Sequence, residues 1–173
     1  MDHERCAACG FDGSQFDDRD LLDGLRSLGP AWRTLLEASG DELRDRPAPA
    51  TWSSIEYAAH SRDVTALHVW AVEQALEGGE PVLPEVAGDD LIESAAATYA
   101  EADPADVADA LEDQADRLAD VAGHAGSATW SRGITIGASR SDVRRLLEHG
   151  LHDSRHHLDD VGRGLAELRR TGR

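Results

Sequence analysis

The sequence predicts an all-α protein, an antiparallel four-helix bundle preceded by a short irregular segment. Four long stretches carry apolar residues at helical spacing, and connections of moderate length join them. The one strand-like stretch, residues 127–138, is too short and too isolated to predict a sheet. We therefore expect an N-terminal segment with a Cys-x-x-Cys pair at residues 1–16, and a helical bundle at residues 17–173.

The ends of the helices follow from capping residues and helix breakers. Ser53 with Glu56 predicts a capping box, and Asp103 followed by Pro104 predicts a second helix N-terminus. A Gly-Pro pair at 29–30 is expected to kink or split the first helix. The predicted helices cover residues 17–45, 53–76, 89–100, 103–126 and 139–170, with a loop at residues 80–88.

The charge balance excludes several classes of partner. The chain has 17 basic residues, all of them arginine, against 34 acidic ones, for a formal net charge of -17. Such a surface repels the phosphates of nucleic acids and anionic membranes. No apolar run approaches the ~20 residues of a membrane helix, and the N-terminus lacks the pattern of a secretion signal. We expect a cytoplasmic protein that binds neither nucleic acid nor membrane.

The last predicted helix carries an unusual concentration of metal-ligating side chains between residues 149 and 157. Residues four apart share a helix face, so two pairs overlap here: Asp153 with His157, and His152 with His156. The buried stripe of the helix is expected to consist of Val143, Leu147, Gly150, Ser154, Leu158, Val161, Leu165 and Leu168. Rotation by about 100° per residue places the first pair near the edge of this stripe. The second pair falls almost opposite, toward solvent or another segment of the chain.

A third candidate ligand, His60, lies on the second long helix. It shares a line with Val64, Leu67 and Ala71, so we expect it to point into the bundle. A buried imidazole needs partners for its nitrogens. His60, Asp153 and His157 together would form a site of two histidines and one carboxylate with open positions, suited to zinc, or to nickel or iron. The alternative is a solvated acidic helix with hydrogen-bonded imidazoles.

The cysteine pair, Cys6 and Cys9, looks like half of a zinc ribbon. A structural zinc site needs four ligands, and the sequence has no second cysteine pair. His152 and His156 could complete a Cys2His2 site that pins the N-terminal segment to the last helix. A redox pair or incidental thiols are the alternatives. The other isolated histidines are interpreted as non-ligands: His3, His68 and His124.

Several short motifs, in order along the chain, resemble the DinB-like superfamily. Thr51-Trp52-Ser53 opens the helix that contains His60, Trp130 precedes the last helix, and that helix contains His157-Leu-Asp-Asp160-Val-Gly162. The superfamily includes the mycothiol-dependent maleylpyruvate isomerases and related thiol S-transferases. The resemblance spans roughly residues 17–170 and implies a four-helix bundle with a metal near one end, often as a homodimer.

The resemblance also implies a ligand set. In the isomerase branch, Asp153 would take the place of a glutamate and His157 that of the second histidine. Ordinary members use three histidines, the last two spaced His-x-x-x-His, which would instead make His152 and His156 the ligands with His60. Both registers stay open on the sequence alone.

Two functions of different classes follow. The first is a metal-dependent thiol transferase or isomerase, in which the metal activates a low-molecular-weight, mycothiol-like thiol or water toward an electrophile. Arg145 or Arg155 could bind a carboxylate of the thiol or the substrate. The second is a non-catalytic metal-binding protein, or an interaction protein that senses zinc or redox state, in which protein ligands saturate the metal.

Overall fold

The computed structural model describes residues 3–84 and 89–172, and confirms the predicted four-helix bundle. Two consecutive helices form one side of the bundle, and one long helix forms each of the three other sides. The helices are α1 (Asp18–Arg26), α2 (Leu28–Ser39), α3 (Ser54–Leu76), α4 (Asp89–Ala100), α5 (Pro104–Ala125) and α6 (Val143–Thr171). The strands are β1 (Val82–Leu83), β2 (Gly133–Ile136) and β3 (Ser139–Asp142). Part of the predicted loop, residues 85–88, lies outside the described residues.

The first predicted helix is split, as expected, but the break falls at Ser27, just before the Gly-Pro pair. The Ser27 hydroxyl donates to the carbonyl of Gly24 at 2.6 Å and closes the end of α1. Pro30 then sits in the first turn of α2, where its missing N–H leaves no hydrogen bond unmade. A Cβ on residue 29 would lie 2.5 Å from the Glu112 Cα. Glycine at this position therefore lets α2 pack closely on α5.

The helix directions in the bundle are mixed. α3 and α6 run antiparallel, since the His60 ring contacts the His157 ring at 5.2 Å between centroids and His68 contacts His149 at 5.4 Å. α2 and α6 run parallel, because contacts between them advance along both helices in the same sense. These contacts include Trp32 with Ser154 and, just beyond α2, Glu42 with Arg169. No helix in the described ranges combines the length and the apolar character needed to cross a bilayer.

A small sheet packs at one end of the bundle, so the expectation of no sheet is wrong. β1 pairs in parallel with β2, Val82 opposite Thr135 and Leu83 opposite Ile136. β2 and β3 form an antiparallel hairpin, and the turn uses Gly137 at φ +56°, a left-handed conformation that favours glycine. β2, which lies in the strand-like stretch, therefore pairs with β3 across a tight turn and with β1, which is distant in sequence.

The face of α3 that meets α6 is formed by small and polar side chains. Ser61, Thr65 and His68 are buried there, and the Thr65 hydroxyl donates to the Ser61 carbonyl at 2.7 Å. Leu67, expected on the inward line with His60, is instead 38% exposed. The helices approach closely at His68, because a Cβ on Gly150 of α6 would lie 2.9 Å from the His68 Nδ1 atom.

The N-terminal segment, residues 3–16, is anchored to α6 by a fully buried carboxylate. Glu148 lies 2.8 Å from the Nδ1 atom of His3 and accepts hydrogen bonds from the Glu4 N–H at 2.9 Å and from Arg144 Nε at 2.6 Å. A Cβ on Gly13 would overlap this carboxylate, so the segment lies directly against it. A buried carboxylate is tolerated when it is paired and hydrogen-bonded in this way.

Ser154→Ala is expected to destabilise the bundle. Trp32 is fully buried, and its indole N–H donates to the Ser154 hydroxyl at 2.7 Å. Without the hydroxyl, the buried N–H has no acceptor, which costs about 1–3 kcal/mol in free energy of unfolding. Urea unfolding measures the change, and Ser131→Ala at an exposed site is the control, expected within about 0.5 kcal/mol of the parent. Equal stability of the two variants would contradict this assignment.

Candidate metal centre

Three donors from two helices meet between α3 and α6. His60 of α3 and Asp153 and His157 of α6 each offer one atom, and these atoms lie within 4.8 Å of one another. The antiparallel packing of the helices brings His60 level with the last two turns of the histidine-rich stretch. We call His60, Asp153 and His157 the inner site. It is the set that the sequence predicted for the inside of the bundle.

Charge in the inner site is concentrated on the Asp153–His157 pair. Their side chains approach to 3.5 Å. Although burial opposes ionisation, His157 and neighbouring histidines hold the pKa of Asp153 well below its usual range. Burial lowers the pKa of His157, but Asp153 and Asp160 outweigh it and raise the pKa overall. Burial also lowers the pKa of His60, which favours the neutral imidazole that ligates metals.

A second carboxylate orients His157. Asp160, one turn further along α6, lies 3.2 Å from the His157 Nδ1 atom. This contact leaves Nε2, the atom nearest Asp153, for another partner. A carboxylate on the far nitrogen of a histidine is the usual support of a ligating imidazole, since it fixes both the ring orientation and the tautomer.

Aromatic rings surround the two imidazoles of the inner site. Trp52 contacts His60 edge-on at 5.2 Å between centroids, and Tyr57 contacts His157 at 5.0 Å. Tyr99 of α4 lies 6.3 Å from His60. Burial raises the pKa of Tyr99 to about 12, so its hydroxyl keeps its proton at neutral pH. The rings give the site an apolar border, which strengthens electrostatic interactions inside it.

A second group of donors joins the N-terminal segment to the other face of α6. One donor atom from each of Cys6, Cys9, His152 and His156 lies within 4.8 Å of the others. We call these four residues the clamp group. The structure thus places His60 with the Asp153–His157 pair, and places the other two histidines with the cysteines.

A third group was missed by the sequence analysis. Glu4, His149 and His152 also bring their donor atoms within 4.8 Å, and the Glu4 carboxylate lies 2.9 Å from the His152 Nδ1 atom. Glu4 is buried, although it belongs to an irregular segment. Because that segment has no periodicity, no sequence pattern indicated that Glu4 would face α6.

The three histidines interpreted as non-ligands lie outside these donor groups in the described part of the chain. His3 binds Glu148, and the His124 ring contacts the backbone carbonyl of Asp120 at 2.7 Å. His68 is buried, and its Nδ1 atom has no hydrogen-bond partner among the described residues.

The two candidate arginines for binding a carboxylate are engaged with the N-terminal segment. Arg145 pairs with the carboxylate of Glu4. The Arg155 guanidinium lies over the ring of Phe16, 5.4 Å from its centroid. Both arginines therefore help to hold residues 3–16 on α6, and a role in binding substrate stays a prediction.

His68→Leu is expected to make the metal-free protein more resistant to acid. Burial, with a smaller effect of His149, lowers the pKa of His68 to about 3, whereas the unfolded chain takes up this proton near 6.5. Between these values the unfolded state binds more protons, so the native state loses stability as the pH falls. The variant should lose up to about 1.4 kcal/mol less per pH unit in that window. Urea unfolding at pH values on both sides of 6.5 tests this, and an identical pH slope in both proteins would contradict it.

The fold and the family agree in comparisons with known proteins. A family model of the DinB superfamily matches residues 24–161. Among solved structures, YfiT from Bacillus subtilis superposes with a TM-score of 0.74, over 90% of this chain and 87% of that one, at 16% sequence identity. YfiT is described as a probable metal-dependent hydrolase with an unusual four-helix bundle topology. At this identity the likeness establishes the shared fold. No curated protein sequence matches the chain.

Proposed function

The chain belongs to the DinB superfamily, and from that premise we propose that it is a metal-dependent enzyme of the thiol S-transferase or isomerase type. The inner site carries the proposal. Its two imidazoles and one carboxylate lie within 4.8 Å of one another, between two helices inside the region that the family model matches. A set of two histidines and one carboxylate is typical of catalytic metal sites, in which coordination positions stay open for a substrate or water.

The donors fit a divalent cation, and zinc suits them best, with nickel or iron as alternatives. His60 would bind as a neutral imidazole, since burial lowers its pKa. Asp153 is ionised and supplies the negative charge. His157 would bind through Nε2 while Asp160 holds Nδ1. A cation on Nε2 would leave the contact between Asp160 and Nδ1 of His157 intact.

A divalent metal would supply the charge that lowers the pKa of a bound thiol or water and yields a nucleophile at neutral pH. The residues of the chain prepare the site for this chemistry. Asp160 keeps the His157 ring in one orientation, and the borders formed by Trp52 and Tyr57 limit the access of bulk water. We propose a low-molecular-weight, mycothiol-like thiol as the nucleophile and a small electrophile as the second substrate.

Water is the alternative nucleophile at the same site, and it would make the protein a hydrolase. YfiT, which shares the fold, is described as a probable metal-dependent hydrolase. Both nucleophiles would require the same open position, so they differ in the second substrate and not in the donors. The experiment below therefore measures directly whether a thiol enters the site.

A second candidate function is a non-catalytic protein that binds metal or senses zinc or redox state. The abundance of donors around α6 favours it. Glu4 and His149 add candidate ligands to those of the inner site and the clamp group. Protein ligands would then saturate the metal and leave no position for a thiol or water.

Thiol binding to cobalt-loaded protein tests the enzyme proposal. Cys6→Ser and Cys9→Ser are combined first, so that the protein has no thiol of its own. Adding N-acetylcysteine should then produce a thiolate-to-cobalt charge-transfer band, because an open position accepts the sulfur. His60→Ala in the same background should abolish the band. If N-acetylcysteine does not change the spectrum of the cobalt-loaded double variant, the enzyme proposal is contradicted and the saturated, non-catalytic protein is favoured.

Asp160→Asn is expected to weaken metal binding at the inner site. The amide removes the negative charge that supports His157, and loss of such an outer partner costs roughly 10–100-fold in metal affinity. Competition with a chromogenic chelator measures the affinity in the background without cysteines. The exposed neighbour Asp159, changed to Asn, is the matched control and should leave the affinity unchanged. Equal affinities in the two variants would contradict the assigned role of Asp160.

A further inference from the structure

The Cys-x-x-Cys turn is already folded as a metal-binding knuckle. The Cys6 N–H donates to the Phe11 carbonyl at 3.0 Å, and the Gly10 N–H donates to the Cys6 carbonyl at 2.9 Å. Gly10 takes φ +76°, a left-handed conformation that turns the chain back sharply. Both cysteines are free thiols, so no disulfide closes the turn. The backbone therefore holds two sulfur atoms close together without a covalent link.

The backbone of the turn also faces the Cys6 sulfur, since the N–H groups of Cys9 and Ala8 point at it. The thiolate, not the thiol, is the form that ligates metal. Cys9 contributes its sulfur from the exposed side of the same turn.

Two imidazoles on α6 face this turn, and each has one buried nitrogen without a hydrogen-bond partner among the described residues. His152 and His156 lie one helical turn apart, with 5.7 Å between ring centroids, and the Phe11 ring covers His152 at 5.1 Å. Nε2 of His152 and Nδ1 of His156 are buried, and neither makes a hydrogen bond to any described residue. Buried imidazole nitrogens need a partner. A bound cation would satisfy both.

We propose that Cys6, Cys9, His152 and His156 bind one structural zinc ion, which clamps the N-terminal segment to α6. All four donor atoms lie within 4.8 Å of one another. A C-x2-C turn combined with H-x3-H on a helix is a ligand spacing of structural zinc sites, where four protein ligands complete the tetrahedron. The site is separate from the inner site, because the two groups share no side chain.

Glu4 acts on this site as a positioning residue. Its carboxylate lies 2.9 Å from Nδ1 of His152 and pairs with Arg145. A carboxylate on Nδ1 orients the ring and leaves Nε2 for the zinc. The competing group of Glu4, His149 and His152 offers three donors and no sulfur. The clamp group offers four donors including two thiolates, which zinc binds more strongly.

The two cysteines of the clamp lie outside the residues that the family model matches, whereas its two histidines lie inside them. The family model begins at residue 24, whereas the cysteines lie at positions 6 and 9. Glu148 and the zinc would hold the segment on α6 at two points. The zinc-ligating His152 is adjacent in sequence to Asp153. The clamp would therefore also fix the part of α6 that carries the inner-site donors Asp153 and His157.

Metal content and cobalt spectra of the full chain test the clamp. Each site is expected to hold about one zinc ion. The parent protein should therefore hold about one equivalent of zinc more than the Cys6→Ser variant. Cobalt-substituted parent should show a thiolate-to-cobalt band without any added thiol, because Cys6 and Cys9 would ligate the cobalt. The inner site contains no sulfur and cannot give this band. That band should persist in His60→Ala, disappear in Cys6→Ser, and grow in His156→Cys, where a third sulfur replaces an imidazole. The His156→Cys variant keeps the test valid if Cys6→Ser folds poorly.

The control variant is His124→Ala, which removes an exposed histidine remote from both groups and should change neither zinc content nor spectrum. Loss of the band in His60→Ala would overturn the proposal, because the cysteines would then share one site with His60. A parent protein whose two cysteines form a disulfide, or whose zinc content equals that of Cys6→Ser, would overturn it as well. None of these outcomes depends on whether the inner site binds an added thiol.

Discussion

Successive residues of an α-helix are rotated by about 100°, and this rotation decides how α6 distributes its metal donors. Asp153 and His157 face α3, where His60 meets them. His152 and His156, each one position earlier, face the N-terminal segment instead. A single helix therefore supplies two donor groups without using any side chain twice. α3 packs on one side of α6, and the N-terminal segment packs on another.

The sequence was most informative where structure is local. Of the residues predicted for the buried stripe of α6, only Leu158 is partly exposed. Helical periodicity depends on residues that are close in sequence, so it can be recognised from the sequence alone. The same periodicity separated the two donor pairs of α6. The pairing of residues 82–83 with 135–136 had no such signal, since the partners are distant in sequence. A two-residue strand such as β1 carries too little pattern to reveal its partner, so its pairing with β2 was missed.

The face of α3 shows why apolar periodicity alone could mislead. Leu67 suggested the inward direction, yet Ser61, Thr65 and His68 occupy the buried face. His68 fits there because Gly150 of α6 has no side chain, and a Cβ on it would lie 2.9 Å from the His68 Nδ1 atom. Such a choice depends on the partner helix and is invisible on α3 itself. His60 nevertheless points toward α6 as predicted, and its ring centroid lies 5.2 Å from that of His157.

The order of the helices along the chain has a consequence for synthesis. Cys6, Cys9 and His60 leave the ribosome long before α6, the last helix, which carries the remaining donors of both groups. Contacts that join distant parts of a chain form late in folding. Neither donor group can therefore nucleate the bundle, and a metal would find either group assembled only after α6 has packed. Until then, Cys6 and Cys9 have no histidine of α6 beside them.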